Sequence, residues 1–199
     1  MDVGQFNQKE SDMNTNDLSD KELIASLVGP RLAERIYHGS LASLVHQPNP
    51  SFARKKLFIA QEFVRRALQE ELSNRKAISS ISLMRDYLKL TFAGKEHEVF
   101  MVMLLDTKGR LIDAEELFRG TLAQAAIYSR EVVKCTLKYN AASVIFAHNH
   151  PSGVAQPSDA DYHTTHRLQS ALSLIDVKVL DHFVIAGNEC WSFAENGLI

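Results

Sequence analysis

The chain is poor in cysteine and has no long apolar run, and both absences limit what kind of protein it can be. Cys135 and Cys190 are the only cysteines among 199 residues, too few for a disulfide framework or a cysteine-based zinc module. No apolar stretch approaches the roughly 18 residues that a membrane span needs. The N-terminal residues also lack the basic and apolar regions of a secretory signal. These absences predict a soluble cytoplasmic protein without a membrane partner.

The chain also lacks a strong excess of charge of either sign. Its formal net charge is −2, which argues against a protein built mainly to coat nucleic acid. Hydrophobic residues make up 45% and charged residues 23%, which is typical of a globular chain. The length then suits one domain of ordinary size with an appendage.

The first 90 residues divide into a polar tail and a helical segment. Residues 1–18 carry few large apolar side chains and are predicted to be a disordered tail. Residues 19–90 are predicted to be helical, beginning at Ser19, since Glu22 three residues later completes a capping box. A further helix is predicted after residue 51, because apolar residues recur there at steps of three and four.

Residues 91–199 alternate between strand and helix patterns, which predicts an α/β domain. EVFMVMLLD is a nearly continuous apolar run, typical of a strand buried on both faces. After it we expect a helix from Ser129, a strand SVIFA, and a helix that Ser158 caps and that runs to about Leu174. VKVL and HFVIA are predicted to be two further strands, with a hairpin turn at Gly187-Asn188 before CWSF.

Two histidines directly follow the strand SVIFA. His148 and His150 are two residues apart, so on an extended backbone both imidazoles point the same way. Asp161 lies in the first turn of the next helix, where its carboxylate can reach the same point. Two imidazoles and one carboxylate are a usual ligand set of catalytic zinc. Taken singly, however, a His-x-His also arises by chance, and Ser158 with Asp161 also describes an ordinary helix start.

The whole segment HNHPSGVAQPSDAD resembles the JAMM signature of the JAB/MPN metalloprotease superfamily. That signature is His-x-His, seven residues, Ser, two residues and Asp, with a Glu upstream. HNHPSG, VLDHFVIAG, EVFMVMLLD, ELFRGTL and SREVVK are similar to the bacterial RadC family, over about residues 80 to 199. The resemblance implies a JAB/MPN domain at 91–199, whose mixed sheet flanked by helices is related to that of cytidine deaminases. It also implies one zinc ion per chain, held by His148, His150 and Asp161.

The resemblance further implies roles for residues around the metal. A glutamate upstream would act as general base. Glu96 and Glu98 share strand parity, so periodicity leaves both open, whereas the family pattern favours Glu98. Ser158 would help to hold the oxyanion while also capping its helix. Asp181 and His182 recur in the family and are predicted to be a pair that orients a metal ligand.

These expectations converge on a zinc metalloprotease-type hydrolase that cleaves amide or isopeptide bonds in a peptide or protein substrate. The alternative is a DNA repair or recombination accessory protein without protease activity. The N-terminal segment resembles a reduced helix-hairpin-helix region, although only Gly29-Pro30 remains of its glycine hairpins. A zinc deaminase is excluded, because that chemistry needs H-x-E followed by P-C-x-x-C. The basic residues that favour the DNA alternative are Arg54, Lys55, Lys56, Arg65 and Arg66.

Overall fold

The structure, a computed structural model, describes residues 18–39, 51–120 and 127–199. The predicted disordered tail lies outside these ranges except for its last residue. The described residues form six α-helices and one mixed five-stranded sheet, which confirms the predicted α/β class. Within them, no helix is both long and apolar enough to cross a membrane. In chain order the elements are α1 (Asp20–Val28), α2 (Pro30–Ile36), α3 (Ser51–Asn74), a 3-10 helix (Ala77–Ser80), α4 (Ile81–Phe92), β1 (Glu98–Leu105), β2 (Leu111–Gly120), α5 (Ser129–Lys138), β3 (Ser143–Asn149), α6 (Asp159–Ser173), β4 (Lys178–Ala186) and β5 (Glu189–Ser192).

Backbone contacts divide the chain into two units, which meet between Gln61 and Glu62 inside α3. In the first unit, α1 and α2 pack on each other. The predicted capping box is present at the start of α1, where the side chains and backbone N–H groups of Ser19 and Glu22 bond reciprocally. Gly29, at φ +90°, makes the turn between the two helices, and its positive φ favours glycine. The apolar core of this helix pair is formed by Ile24, Val28, Ala33 and Ile36.

The second unit is built on the sheet, whose strand order is β2-β1-β3-β4-β5. β3 and β4 are parallel, and the other neighbours are antiparallel. Every residue of β3 is buried, as is β1 after its first residue, which explains the continuous apolar runs in their sequences. β3 lies at the centre, so its backbone is hydrogen-bonded on both sides.

The prediction of separate strands at VKVL and HFVIA was wrong, because the two segments form the single strand β4. Asp181 and His182, the polar residues at the join, continue the ladder opposite Ile145 and Phe146. Both are buried, so their polarity does not mark a surface turn. The turn predicted at Gly187-Asn188 is present and connects β4 to β5.

Helices cover both faces of the sheet. The end of α3 and all of α4 pack on one face, through Leu72, Met84, Leu88 and Phe92. α5 and α6 pack on the other face, through Val132, Cys135, Leu168 and Leu172. α4 thus contributes to the core of the sheet, although all but its last two residues precede the domain boundary predicted at residue 91. Strand alternation assigns side chains to these faces, and Phe100, Phe146 and His148 point toward α5 and α6.

Candidate metal centre

The two histidines of the predicted site lie at the end of the central strand. His148 pairs with Phe100 of β1 and with Val184 of β4. His150 lies just beyond β3, yet its N–H still donates to the carbonyl of Ile185 at 2.8 Å. The extended course therefore continues through His150, and both rings point the same way. Their Nε2 atoms are 2.9 Å apart, as the spacing predicted.

A tight turn after β3 orients the ring of His150. The N–H of Gly153 donates to the carbonyl of His150 at 3.1 Å, and Gly153 has a φ of +86°, which favours glycine. The turn brings the carbonyl of Val154 to 2.8 Å from Nδ1 of His150. Since a carbonyl only accepts, this contact keeps a proton on Nδ1, and Nε2 of the neutral ring keeps its lone pair for a metal.

Asp161 completes the cluster from the first turn of α6. Its Oδ1 is 3.3 Å from Nε2 of His148, and its Oδ2 is 3.5 Å from Nε2 of His150. Candidate ligand atoms of the three residues all lie within 4.8 Å of one another. Burial acts to raise the pKa of Asp161, but its contacts with His148 and His150 outweigh it and hold that pKa well below its ordinary value. The contact with Asp161 in turn raises the pKa of His150.

This donor set fits a divalent cation. Two imidazole nitrogens face each other at 2.9 Å beside an ionised carboxylate, and a cation between them would satisfy all three groups. Nitrogen and oxygen ligands in this number leave one tetrahedral position open, as catalytic zinc sites do.

Glu98 lies on the same face of the sheet as the cluster. Glu98 is the first residue of β1 and has the same strand parity as Phe100, which is paired with His148. Its charge is close enough to His150 to contribute to the raised pKa of that ring. Glu98 is partly buried, whereas Glu96 precedes the strand and is exposed.

Ser158 is bound to Asp161 by a second capping box. Its hydroxyl and its backbone N–H both donate to Oδ2 of Asp161 at 2.7 Å. The N–H of Asp161 donates back to the hydroxyl oxygen at 3.3 Å. In this arrangement the hydroxyl proton is directed at the carboxylate of the candidate ligand, so Ser158 caps α6 and holds Asp161 in place.

Asp181 and His182 were predicted to act as a pair, but their side chains point to opposite faces of the sheet, and the direct bond between them is from the backbone N–H of His182 to Oδ1 of Asp181 at 2.7 Å. Nδ1 of His148 and Nε2 of His182 are 2.8 Å apart, so His182 contacts a candidate ligand directly. Burial, and secondarily the charge of His148, lowers the pKa of His182 well below its usual value. Asp181 points to the other face of the sheet, where it accepts hydrogen bonds from the hydroxyl of Ser192 and the N–H of Ala194.

Two further residues support the site, and the sequence analysis did not include either. Oγ1 of Thr165 is 2.7 Å from Nδ1 of His182. The side chain of Asn149 bonds to the backbone on both sides of Glu98, accepting from Val99 N–H at 2.8 Å and donating to the carbonyl of His97 at 3.0 Å. Two features of the sequence could have pointed to them. Thr165 lies one helical turn after Asp161, and Asn149 lies between the candidate ligands His148 and His150.

Comparison with known proteins agrees with this geometry. Residues 78–198, more than half of the chain, match the model of the RadC-like JAB domain. The chain belongs to the RadC family. Its RadC-like JAB domain contains all the site residues described above, and its mixed sheet with helices on both faces confirms the JAB/MPN fold that the resemblance implied.

Relatives of this RadC-family chain extend the similarity beyond that domain. A UPF0758 protein of Polaromonas is 44% identical over 203 residues, covering 92% of this chain and 90% of the relative. A UPF0758 protein of Nitrosomonas eutropha is 58% identical over 144 residues, covering 72% of this chain and 64% of the relative. The match thus spans a little less than two thirds of the Nitrosomonas protein's own length.

Proposed function

We propose that this RadC-family chain is a zinc-dependent hydrolase of the JAMM metalloprotease type that cleaves amide or isopeptide bonds. The observation that supports this most directly is the convergence of His148, His150 and Asp161. Their candidate ligand atoms lie within 4.8 Å of one another, with the carboxylate of Glu98 on the same face of the sheet. The proposed ligand set is three protein groups with one position open to water.

Bound zinc would polarise a carbonyl and lower the pKa of a water from 15.7 to about 7. Glu98 would take a proton from the attacking water and deliver it to the leaving nitrogen, a general acid–base role. Its place at the first residue of β1 suits this role, since the strand fixes its backbone while its side chain stays only partly buried. Asp161 would stay ionised as the third proposed ligand, since a carboxylate binds a metal in its ionised form.

Ser158 would have two roles, holding a proposed ligand and stabilising the oxyanion. In the structure its hydroxyl holds Oδ2 of Asp161, which fixes a ligand. Ser158 is exposed at the start of α6, so rotation about its Cα–Cβ bond would turn the hydroxyl toward an oxyanion formed beside the cluster. A donor in that position is a common means of stabilising the transition state.

A cleft of about 230 Å³ borders His150, and backbone and small side chains form much of its wall. The residues lining it include Gly94, Lys95, Asn149, Pro151, Gly153 and Gly187.

Two measurements test the proposal. Elemental analysis should find one zinc per chain in the purified protein and none in His150→Ala. With peptide and isopeptide substrates, Glu98→Gln should keep its zinc and lose turnover by about 10²–10⁴-fold, the usual contribution of a general base. Glu96→Gln is the matched control, a neighbouring exposed glutamate whose loss should leave turnover unchanged. A wild-type protein that takes up no zinc, even on reconstitution, would contradict the proposal.

The DNA-binding alternative depends on basic residues of α3, and the structure pairs two of them. Arg65 and Arg66 each donate to Glu62 at 2.7 Å. Hydrogen bonds from both, Arg65 first, hold the pKa of Glu62 at about 2, so this carboxylate offsets part of their charge. DNA binding stays a prediction, and a titration with duplex DNA at low salt tests it.

A further inference from the structure

A buried chain of hydrogen bonds connects the backbone of α6 to a candidate metal ligand in β3. The hydroxyl of Thr165 donates to the carbonyl of Asp161 at 2.6 Å. The same oxygen is 2.7 Å from Nδ1 of His182, and Nε2 of His182 is 2.8 Å from Nδ1 of His148. The chain thus begins and ends at two residues of the proposed zinc ligand set.

With both rings neutral, only one arrangement of protons satisfies these contacts. A hydroxyl has a single proton, and that of Thr165 is used on the carbonyl of Asp161, so its oxygen must accept from His182. Nδ1 of His182 therefore carries the proton, and Nε2 of the neutral ring is an acceptor. Nδ1 of His148 must then donate to it, which leaves the lone pair of His148 on Nε2, the atom that faces Asp161 and His150.

The surroundings of His182 hold its ring in this position. Phe193 stacks on it with ring centroids 4.8 Å apart and planes 13° apart. Phe100 and Phe146 approach it at steep angles, with centroids 5.6 and 5.8 Å away. His182 is 1% exposed, and with three aromatic rings around it, a buried charge on the ring would be costly. Its ring is therefore a fixed and neutral connection between Thr165 and His148.

We infer that Thr165 and His182 are positioning residues that set the tautomer of His148, so that its Nε2 is presented to the metal without a proton. This inference rests on the proposed function and adds to it a relay that starts at a helix hydroxyl. If the hydroxyl of Thr165 is removed, Nδ1–H of His182 loses its acceptor. The neutral ring of His182 then favours the tautomer with its proton on Nε2, where that proton faces Nδ1–H of His148. His148 would have to move its own proton to Nε2, which blocks metal binding.

Zinc affinity measured by competition with a chromophoric chelator tests the relay. Thr165→Val should weaken zinc binding by about 10–100-fold, the usual effect of losing a group that orients a metal ligand. Thr165→Ser keeps the hydroxyl and should restore wild-type affinity. His182→Phe leaves the Thr165 bond to Asp161 in place and retains an aromatic ring beside Phe193, so a similar loss in this variant assigns the effect to His148.

Thr136 provides a matched control for the loss of a buried hydroxyl. Like Thr165, it is 1% exposed and donates to the carbonyl one turn earlier in its helix, that of Val132, at 2.8 Å. None of the contacts described for it involves a histidine. Thr136→Val should therefore lower stability much as Thr165→Val does, while leaving zinc affinity at the wild-type value.

Long-range ¹H–¹⁵N NMR of histidine-labelled protein reads the tautomers directly, with and without zinc. Wild type should show Nδ1–H on both His148 and His182, and Thr165→Val should change that pattern. Wild-type zinc affinity in Thr165→Val, or Nε2–H on His182 in the wild type, would overturn the relay. A wild type that binds no zinc but shows Nδ1–H on His182 would instead overturn the proposed function alone.

Discussion

Asn149 fixes the backbone on both sides of Glu98. The ladder between β1 and β3 ends at the pair Phe100 and His148, and beyond it the amide of Asn149 bonds to the two peptide groups that flank Glu98. A side chain thereby extends the sheet by one residue. The glutamate proposed as general base consequently lies on fixed backbone, although it opens its strand.

We expect Asn149→Ala to lower kcat by about 10²-fold, since a displacement of about 1 Å at a reacting group can cost that much. KM and zinc content should stay near the wild-type values, because His148 and His150 are held by main-chain bonds to the neighbouring strands. Steady-state kinetics with elemental analysis of the same preparation checks this. Loss of zinc in step with activity would assign Asn149 to the metal ligands instead.

The two capping boxes found among the described residues allow the role of Ser158 to be isolated. Ser158→Ala should cost about 1 kcal/mol of stability through loss of the cap, and it should also weaken zinc binding because Asp161 loses its hydroxyl partner. Ser19→Ala removes the equivalent cap of α1, and we expect it to affect helix stability alone. Thermal melts and zinc competition on both variants make the comparison. Equal zinc affinity in Ser158→Ala and wild type would restrict Ser158 to capping.

Asp181 gives a pH dependence of folding that opposes the usual acid behaviour. Burial, despite hydrogen bonds from Ser192 and Ala194, raises the pKa of Asp181, so the folded state binds its proton more tightly than the unfolded state does. Stability from this group is therefore present below the unfolded pKa of about 3.9. It is lost as the pH rises through the folded pKa.

Asp181→Asn should abolish that dependence and keep the fold, since Oδ1 can still accept the backbone bonds and Nδ2 can donate to Ser192. Urea denaturation from pH 4 to 8 should show the free energy of unfolding of wild type falling relative to the variant as pH rises. Zinc affinity should be equal in the two proteins. A difference in stability that does not change with pH would contradict the assignment.

Cys190 should be slow to react with thiol reagents in the folded protein. Burial raises its pKa to about 11 despite the nearby Arg85, so at pH 8 only about a thousandth of the thiol is the reactive thiolate. Burial also raises the pKa of Cys135. Kinetics with Ellman's reagent, before and after denaturation, should show both thiols reacting rapidly only once the chain is unfolded. Rapid reaction of the native protein would show that this part of the sheet opens.

The cluster of His148, His150 and Asp161 could be predicted from sequence because its determinants are local. The spacing of His148 and His150 defines a shared direction on a strand, and a serine cap places Asp161 in the first turn of a helix. The choice between Glu96 and Glu98 could not be made from local sequence, since strand parity allows both. It depends on where β1 begins, which the long-range bonds of Asn149 determine.

Thr165 escaped prediction, and His182 was predicted only as one of a pair with Asp181, because Thr165 and His182 act between distant parts of the chain. Thr165 and His182 are 17 residues apart in sequence and meet only when α6 packs on β4. The same packing explains the error at VKVL and HFVIA, since Asp181 and His182 look like a polar break until their buried partners on each face are known. Polar residues inside a strand carry no signal of what they contact.

The candidate ligands lie on two kinds of backbone, a central strand and the first turn of a helix, and these differ in how often they open. His148 belongs to the central strand and His150 directly follows it. This strand is hydrogen-bonded on both sides and should show the slowest amide exchange of the domain. Asp161 lies in the first turn of α6, and helix ends open far more often. A metal bound between them would tie a frequently opening segment to a rigid one. Its dissociation would then be coupled to fraying of one helical turn, and the residence time of the ion would report how often that turn opens.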